Sequence, residues 1–382
     1  MRRSCGITVG LAGLALLASI VVAQEQSRPL GNVAQVSAES SDYNVFAERD
    51  VCTPTEPCRV ACRSSQCDAE APWVTAGDCG NYCSCCCAGS CWYVQVEALL
   101  MERDNQNANQ PVVLDDASQA VLFSTGDLNF NGAAGPRILL GLAFDDVSAL
   151  ELSYFGVFDW TGGATIRGSN SLDIPPDLVV PATDFDNADV MSITYRTHVN
   201  NVEANCVNYL CGSRQCGGVA MLAGFRYVNL DETFNINSID ADGTQSDYGI
   251  DADNHLFGGQ LGLRLTHRSC RWGFDATGKV GLFGNAVRQR QFVGDDGNTT
   301  VLRNTSSRTG VASFVGDINA SVAYYLTDVW AIRAGYNVLW MEGLALAPNQ
   351  LDFSYSADSG TAVSTGGGVF LHGANVGLEA RW

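Results

Sequence analysis

Twelve charged residues stand at alternate positions of apolar segments between residues 92 and 382. Side chains two residues apart in a β-strand point to the same face, so these charges would share one face of their strands. Seven basic residues against five acidic ones would give that face a weak preference for small anions, unless the charges pair and neutralise one another. The twelve are Glu97, Arg137, Glu151, Arg196, Arg226, Arg264, Asp275, Lys279, Asp317, Arg333, Glu379 and Arg381.

Five aspartates lie close together in one polar stretch, and carboxylate oxygens are the ligands that calcium prefers. The stretch that begins at Asp240 lacks the glycine at position six and the glutamate at position twelve of an EF-hand loop. A solvated acidic loop is therefore the favoured interpretation, and we predict no metal site. The five are Asp240, Asp242, Asp247, Asp251 and Asp253.

Asp253 and His255 form an Asp-x-His pair, and such a pair could activate a water for hydrolysis. Asp240 and Asp242 could join it only if their loop folds back. The sequence has no Gly-x-Ser-x-Gly, phosphate-binding loop, dinucleotide fingerprint or zinc-protease helix. We therefore predict no catalytic residues and no enzyme.

Ten of the fifteen cysteines lie between residues 52 and 91. Their spacing fits no pair of zinc knuckles and no histidine lies within 24–91, so we predict disulfides and no cofactor. Cys85, Cys86 and Cys87 are adjacent and need partners elsewhere, which could include another copy of the chain. Further disulfide candidates flank two predicted turns: Cys206, Cys211, Cys216 and Cys270.

Ten segments alternate apolar and polar residues with the period of a β-strand. In none of these segments does a charged residue stand at one of the alternating apolar positions. A single Arg or Lys there, at the bilayer midplane, would cost about 2–4 kcal/mol of barrel stability. This pattern predicts an all-β, antiparallel up-and-down transmembrane β-barrel of about ten strands. Twelve strands are the alternative, with the extra pair drawn from 112–123 and 351–363. The segments begin near Trp92, Ile138, Leu150, Met191, Val219, Phe257, Trp272, Phe314, Trp330 and Phe370.

The predicted connections alternate in length, as expected for short periplasmic turns and long outer loops. An even strand number would place both chain ends in the periplasm. The apolar parity of the fourth segment changes near Asn200-Asn201, where we predict a β-bulge. Tryptophans near the segment ends, Trp160 among them, predict aromatic girdles. The short connections are 145–148, 211–218, 266–271 and 326–328, and the long ones are 103–135, 161–187, 232–252, 287–309 and 342–368.

Residues 1–23 predict a secretory signal peptide, with Arg2 and Arg3 before an apolar stretch and small residues before Gln24. Residues 24–91 are polar and Cys-rich without any strand or helix period, so we predict a largely irregular periplasmic tether. The barrel would occupy residues 92–382. The formal net charge of −19 argues against a nucleic-acid partner.

Five stretches of the predicted barrel carry a resemblance to a known family. They are Trp92-Tyr-Val-Gln-Val-Glu-Ala-Leu-Leu, Gly135-Pro-Arg-Ile-Leu-Leu-Gly, Leu150-Glu-Leu-Ser-Tyr-Phe-Gly156, Leu222-Ala-Gly-Phe-Arg-Tyr-Val-Asn-Leu-Asp-Glu232 and Leu256-Phe-Gly-Gly-Gln-Leu-Gly-Leu-Arg264. These stretches resemble the β-barrel porin-7 family of planctomycete outer-membrane proteins and, more loosely, the legionella-type major outer-membrane proteins. The resemblance covers roughly residues 92–382 and implies an outer-membrane barrel that could form a pore, while it carries no catalytic motif.

We expect a porin-like barrel that passes small solutes or ions through a narrow polar lumen. Ten strands are close to the size at which side chains fill the interior, so a closed structural or adhesive envelope barrel whose loops or Cys-rich segment bind partners is the alternative. An omptin-like surface protease, using Asp253 and His255 at the rim, is less favoured.

The expected partners are outer-membrane lipid and the barrel-assembly machinery, and a homo-oligomer or a disulfide crosslink through 52–91 is a further prediction. The final strand would carry the insertion signal, in Val376, Leu378, Ala380 and Trp382.

Overall fold

A closed ring of antiparallel strands forms the body of the computed structural model, which describes residues 91–382 apart from 106–107, 176–177, 179–180, 215–216 and 270. The strands are β1 (Cys91–Arg103), β2 (Pro111–Asp115), β3 (Val121–Ser124), β4 (Ala133–Ala143), β5 (Ser148–Asp173), β6 (Ala188–Ser213), β7 (Gly217–Ile239), β8 (Gln245–Ser269), β9 (Trp272–Asp295), β10 (Thr300–Tyr325), β11 (Trp330–Leu344) and β12 (Gly367–Arg381). No helix among the described residues is long and apolar enough to cross a membrane.

Ten of these strands make up the ring. β1 pairs with β4, each later strand pairs with the next along the chain, and β12 pairs back with β1. The predicted fold class is therefore confirmed. β2 and β3 form a small hairpin that touches β5 at Leu114 and Asp173 and stays outside the ring. The sheet therefore has twelve strands when this hairpin is counted, although residues 351–363, from which the twelve-stranded alternative drew one strand, contain none.

The outward face of the ring carries a belt of exposed apolar side chains. Phe225 on β7 is 78% exposed and Leu282 on β9 is 68% exposed, values that a soluble protein would rarely give to large apolar residues. Trp92, Trp272 and Trp330 are exposed near the short-turn end of the ring, as a girdle requires. Trp160 departs from the prediction, since it is buried inside and its indole N–H donates to the Met101 carbonyl at 3.1 Å.

Four short connections lie at one end of the ring, at 144–147, 214–216, 270–271 and 326–329, together with both ends of the barrel chain. We call this the short-turn end and the opposite one the long-loop end. At the long-loop end the strands run much further than predicted. β5 to β10 contain 23 to 26 residues each, whereas crossing a membrane needs about 9–11.

Two predicted long loops are in fact continuations of strands. Most of 232–252 belongs to β7 and β8, which meet in a tight turn where the Asp240 carboxylate accepts the Thr244 N–H at 2.8 Å. Most of 287–309 likewise belongs to β9 and β10. Polar residues on the outward face of these extensions hide the strand period, because strands beyond the membrane no longer need an apolar exterior.

The bulge predicted near Asn200-Asn201 is also misplaced. β6 keeps one register with β7 through this region, and the irregularity lies on β5 between Val157 and Trp160. The odd-numbered residues of β6 face inward over its whole length, from Met191 to Val207. The apolar parity changes because the interior changes: Asn201 and Glu203 face a polar lumen, while Tyr195 and Ile193 enter an apolar core at the long-loop end.

Prediction: Leu261→Arg should destabilise the barrel by about 2–4 kcal/mol, because Leu261 is exposed on the outward face near the middle of the belt of β8. Reversible unfolding in lipid vesicles measures the loss. Asn304→Arg is the matched control, since Asn304 is exposed on the outward-facing parity of the long-loop extension of β10. Equal losses in both variants would contradict the proposed depth of the belt.

Candidate functional site

Arg333 is the centre of one interior ion-pair group, in the half of the barrel nearest the short turns. Its guanidinium lies 2.6 Å from Glu379, 3.1 Å from Asp275 and 3.6 Å from Glu97. Arg137 binds Glu97 as well, from the next strand of the ring. Charges from five strands thus meet in the lumen, where their mutual neutralisation offsets the cost of burial.

A second group surrounds Glu203 on β6. The Lys279 ammonium lies 2.6 Å from one carboxylate oxygen of Glu203, and the Arg226 Nε lies 3.7 Å from the other. Arg226 and Lys279 also share Asp317, at 2.8 and 3.2 Å. Three amide side chains donate further hydrogen bonds to Glu203, so this carboxylate is fully satisfied inside the barrel; they are Asn201, Asn205 and Gln260.

A third pair joins Arg264 and Glu151 through two parallel hydrogen bonds of 2.6 and 2.8 Å. The Tyr93 hydroxyl donates to the same carboxylate at 2.6 Å. Fork-to-fork pairs of this kind are the strong and directional ones.

The structure places eleven of the twelve predicted charged residues on the inner face of the ring. Arg196 is the exception, because its side chain is exposed on the outward face between the buried Tyr195 and Thr197. The sequence predicts the inner face for it because the residues that alternate with it in the long-loop half of β6 are apolar and would be expected to face lipid. In the structure these apolar residues face inward, into the buried core. The eleven are Glu97, Arg137, Glu151, Arg226, Arg264, Asp275, Lys279, Asp317, Arg333, Glu379 and Arg381.

A polar cavity of about 150 Å³ remains between these groups. At roughly 10–15 Å³ per water it has space for about ten waters. Its wall includes the Arg137 and Arg264 guanidinium groups, the Lys279 ammonium and the Asp275 and Glu379 carboxylates.

The connection between β11 and β12 folds into the long-loop half of the barrel. We call residues 345–366 the loop plug. It starts after Gly343, whose positive φ of 78° and close approach to the Ala312 carbonyl leave no space for a side chain. Leu346 and Ala347 are completely buried in the apolar core that the inward residues of β5 to β9 provide.

Side chains of the barrel wall bind the backbone of the loop plug at its start. Asn254 donates to the Ala345 carbonyl at 2.8 Å and accepts the Ala345 N–H at 2.9 Å. Glu232 accepts the Ala347 N–H at 2.8 Å and is itself held by Arg103 at 2.8 Å. All three wall residues are buried, so these bonds are shielded from water.

The far part of the loop plug is held in the same way. Gln289 donates to the carbonyls of Gly360 and Ala362 at 3.0 and 2.7 Å. Arg303 donates to the carbonyls of Asp352 and Ser354, both at 2.6 Å. Gln291 donates to the Gln350 carbonyl at 2.7 Å.

None of these wall residues was predicted as functional. Gln289 and Gln291 lie in a stretch assigned to a loop, and their spacing of two residues was the available signal that β9 continues there. Arg103 and Glu232 stand at predicted loop boundaries and Arg303 lies within a predicted loop, where charge is ordinary and carries little information.

The family model described as Putative beta barrel porin-7 matches residues 94–382. The chain belongs to this family. Membership agrees with the resemblance seen in the sequence and places the barrel in the outer membrane, with a porin-like architecture. None of the curated proteins has a sequence that matches the chain significantly.

A comparison of this porin-7 chain with solved structures finds low-scoring similarities. The outer membrane protease OmpT from Escherichia coli is 12% identical with a TM-score of 0.40, covering 77% of this chain and 96% of that one. The P. putida toluene transporter TodX is 10% identical with a TM-score of 0.29, covering 77% and 89%. CarO from Acinetobacter baumannii is 13% identical with a TM-score of 0.23, covering 75% and 98%. No functional conclusion follows at these identities and scores.

The Asp253–His255 pair of this porin-7 barrel lies on the outward surface of β8. His255 stacks on Tyr227, with its Nδ1 3.0 Å from the phenol oxygen, and Asp253 lies 4.0 Å from Arg290. Asp240 is nine residues further along β7 than Asp231, the partner of Asp253, a distance of about 30 Å along the strand. The structure therefore does not bring the pair and the loop aspartates together.

A different set of carboxylates is close together at the long-loop end. Oxygens of Asp116, Asp173 and Asp186 all lie within 4.8 Å of one another. The charge of Asp173 raises the pKa of the half-exposed Asp116. Asp173 already accepts the Asn187 N–H at 3.0 Å, so local backbone structure accounts for part of this cluster.

The cysteine predictions fall largely outside the described residues, which exclude the segment 24–90 as well as Cys216 and Cys270. Cys206 and Cys211 lie on β6, and Cys211 forms no disulfide with any described residue. In the predicted insertion signal, Val376, Leu378 and Trp382 are half-exposed or more on the outward face, while Ala380 is buried between neighbouring strands.

Prediction: Glu203→Gln should cost about 3–5 kcal/mol of barrel stability, because it leaves Arg226 and Lys279 short of a buried counter-charge. Glu203→Gln combined with Lys279→Met should recover part of the loss. Denaturant unfolding in detergent measures both. The control is Asp251→Asn, which removes the half-exposed partner of Arg290 and should cost at most about 1 kcal/mol. A single variant as stable as the control would show that the Glu203 group does not hold the interior together.

Proposed function

We propose that this protein is a closed porin-like barrel of the outer membrane, whose lumen is occupied by its own side chains and by the loop plug. The observation that carries the proposal is the direct bonding of the plug backbone by buried side chains of the wall, among them Asn254, Glu232 and Gln289. A loop that merely covered a pore would not have its main chain paired with the pore wall.

Two filling layers support a closed lumen. In the short-turn half, the ion-pair groups around Arg333 and Glu203 join different parts of the wall and leave a cavity of about 150 Å³. In the long-loop half, the apolar core and the loop plug take the remaining space. Ten strands are near the size at which side chains alone can fill a barrel.

A second candidate is a narrow ion channel that conducts when the loop plug leaves. The polar cavity favours it, because a purely structural interior of this size could have been apolar. The plug is also separable in the chain, since Leu344 and Gly367 at its two ends are paired neighbours in the β11–β12 ladder. Removing it would leave the ring of strands unbroken.

We also propose that the short-turn end faces the periplasm and that the protein has no catalytic role. Trp92 and Trp382 exchange backbone hydrogen bonds of 2.9 and 3.0 Å at that end, so the first strand of the barrel begins beside the last residue of its final strand. The separation of Asp253 and His255 from the loop aspartates supports the non-enzymatic proposal.

Prediction: full-length protein in a planar bilayer should show no steady conductance steps, because both halves of the lumen are filled. A variant with residues 345–366 replaced by a short Gly-Ser hairpin tests the second candidate. Conductance of the variant alone would establish a channel that the plug closes, and silence of both would support a closed barrel. Steady conductance of the wild type would overturn the closed proposal. Replacing residues 241–243 at the β7–β8 turn is the control for loop surgery.

Prediction: acid should loosen the loop plug through Asp352. Burial raises the pKa of this carboxyl, but hydrogen bonds from Ser354 and Gly360 and the charge of Arg303 outweigh burial and hold it below its ordinary value. The ionised form therefore stabilises the plug above the ordinary carboxyl pKa of about 4, and this stabilisation is lost as pH falls through the lowered pKa.

Relative to the intrinsic exchange rate at each pH, hydrogen exchange of residues 345–366 should accordingly increase below about pH 4 in the wild type. In Asp352→Asn it should be raised already at neutral pH and change less on acidification. An identical acid response in both proteins would exclude Asp352 as the cause.

A further inference from the structure

Two arginines of the cavity wall differ from all its other cations. Each remaining basic side chain on the wall has a carboxylate oxygen within 4.0 Å, whereas Arg214 and Arg268 have none among the described residues. Both belong to the short-turn end, with Arg214 directly after β6 and Arg268 near the end of β8.

Aromatic rings and backbone hold both arginines in the wall of the cavity. Arg268 Nε donates to the Arg214 carbonyl at 3.2 Å. The Arg268 guanidinium lies 5.1 Å from the ring centroid of Tyr325, and Arg381 lies 5.1 Å from the same ring. Arg214 lies 5.4 Å from the ring of Tyr93. Three cations thus share one end of the cavity, two of them without an acid.

Both unpaired arginines have unused hydrogen-bond donors. Nε of Arg214 and Nη1 of Arg268 are buried and have no partner in the described structure. Buried donors and buried charges are normally satisfied, and an uncompensated one is costly. Rings beside a guanidinium position it without neutralising it, so the charge remains available to a ligand.

We propose that this end of the cavity binds a small oxyanion of the phosphate or sulfate type, with Arg214 and Arg268 as its principal ligands. Guanidinium groups match tetrahedral oxyanions with paired hydrogen bonds, which a single ammonium group cannot provide. The cavity of about 150 Å³ has space for one such ion with a few waters.

The acidic residues of the same wall limit the affinity rather than preventing binding. Asp275 and Glu379 line the cavity, but each is engaged by Arg333 at 3.1 and 2.6 Å. The repulsion that remains between these carboxylates and a bound anion would favour small anions of low charge. The site does not depend on the state of the loop plug, which lies in the other half of the barrel.

The test is a titration of the full-length protein in detergent with inorganic phosphate, read by calorimetry and by the unfolding temperature. Ionic strength is kept constant with chloride. We expect saturable binding with a rise in unfolding temperature, and a loss of affinity of about tenfold or more in Arg268→Gln and in Arg214→Gln. Arg290→Gln, on the outward face of β9 and half-exposed, is the control and should bind like the wild type.

A second readout separates a ligand site from a structural role. Without phosphate, both cavity variants should unfold at or above the wild-type temperature, because each removes an uncompensated buried charge. A soluble short-chain phosphatidylglycerol should not compete with phosphate if the ligand is a free ion. The proposal is overturned if phosphate binding is absent, if it is equal in all four proteins, or if the variants unfold earlier without phosphate and keep the same phosphate dependence.

Discussion

Closing ten strands into a ring puts opposite walls within reach of each other's side chains, and the rest of the structure depends on this distance. A charge that points inward cannot be fully hydrated in so narrow a space and must find an opposite charge on another strand. Arg333 does so with three carboxylates and Glu203 with two cations. The other half of the lumen is filled mainly by apolar packing: Tyr195, Phe234 and the plug occupy it around the buried Arg103–Glu232 pair.

The barrel itself could be predicted from the sequence because the membrane imposes one rule on its exterior. Residues such as Val96, Leu140 and Leu263 are outward and apolar regardless of what the interior does, so nine of the ten strands show their parity directly. The rule gave the wrong faces for part of β6, because the long-loop half of this strand lies beyond the membrane and encloses an apolar core. There Met191, Ile193 and Tyr195 are apolar and inward, and Arg196 was assigned to the wrong face for that reason.

The filling of the lumen could be predicted only in part. Charges on the inner parity were visible, but which of them pair depends on register and on the closure between β1 and β12, which no local pattern encodes. The loop plug was even harder to predict from the sequence. Its contacts join residues far apart in the sequence, such as Gln289 with Ala362 or Glu232 with Ala347, and they involve main-chain atoms that every residue has.

That last property has a consequence for how the protein can vary. Asn254, Gln289 and Arg303 recognise carbonyl and amide groups of the segment that follows β11, so most side chains of that segment are not needed for its attachment. Substitutions along it would be tolerated as long as the backbone can make the turns at Gly343 and Gly360, both of which have positive φ. Sequence variation is therefore expected in this segment, inside the long-loop end of the barrel, while the wall residues that bind it stay the same.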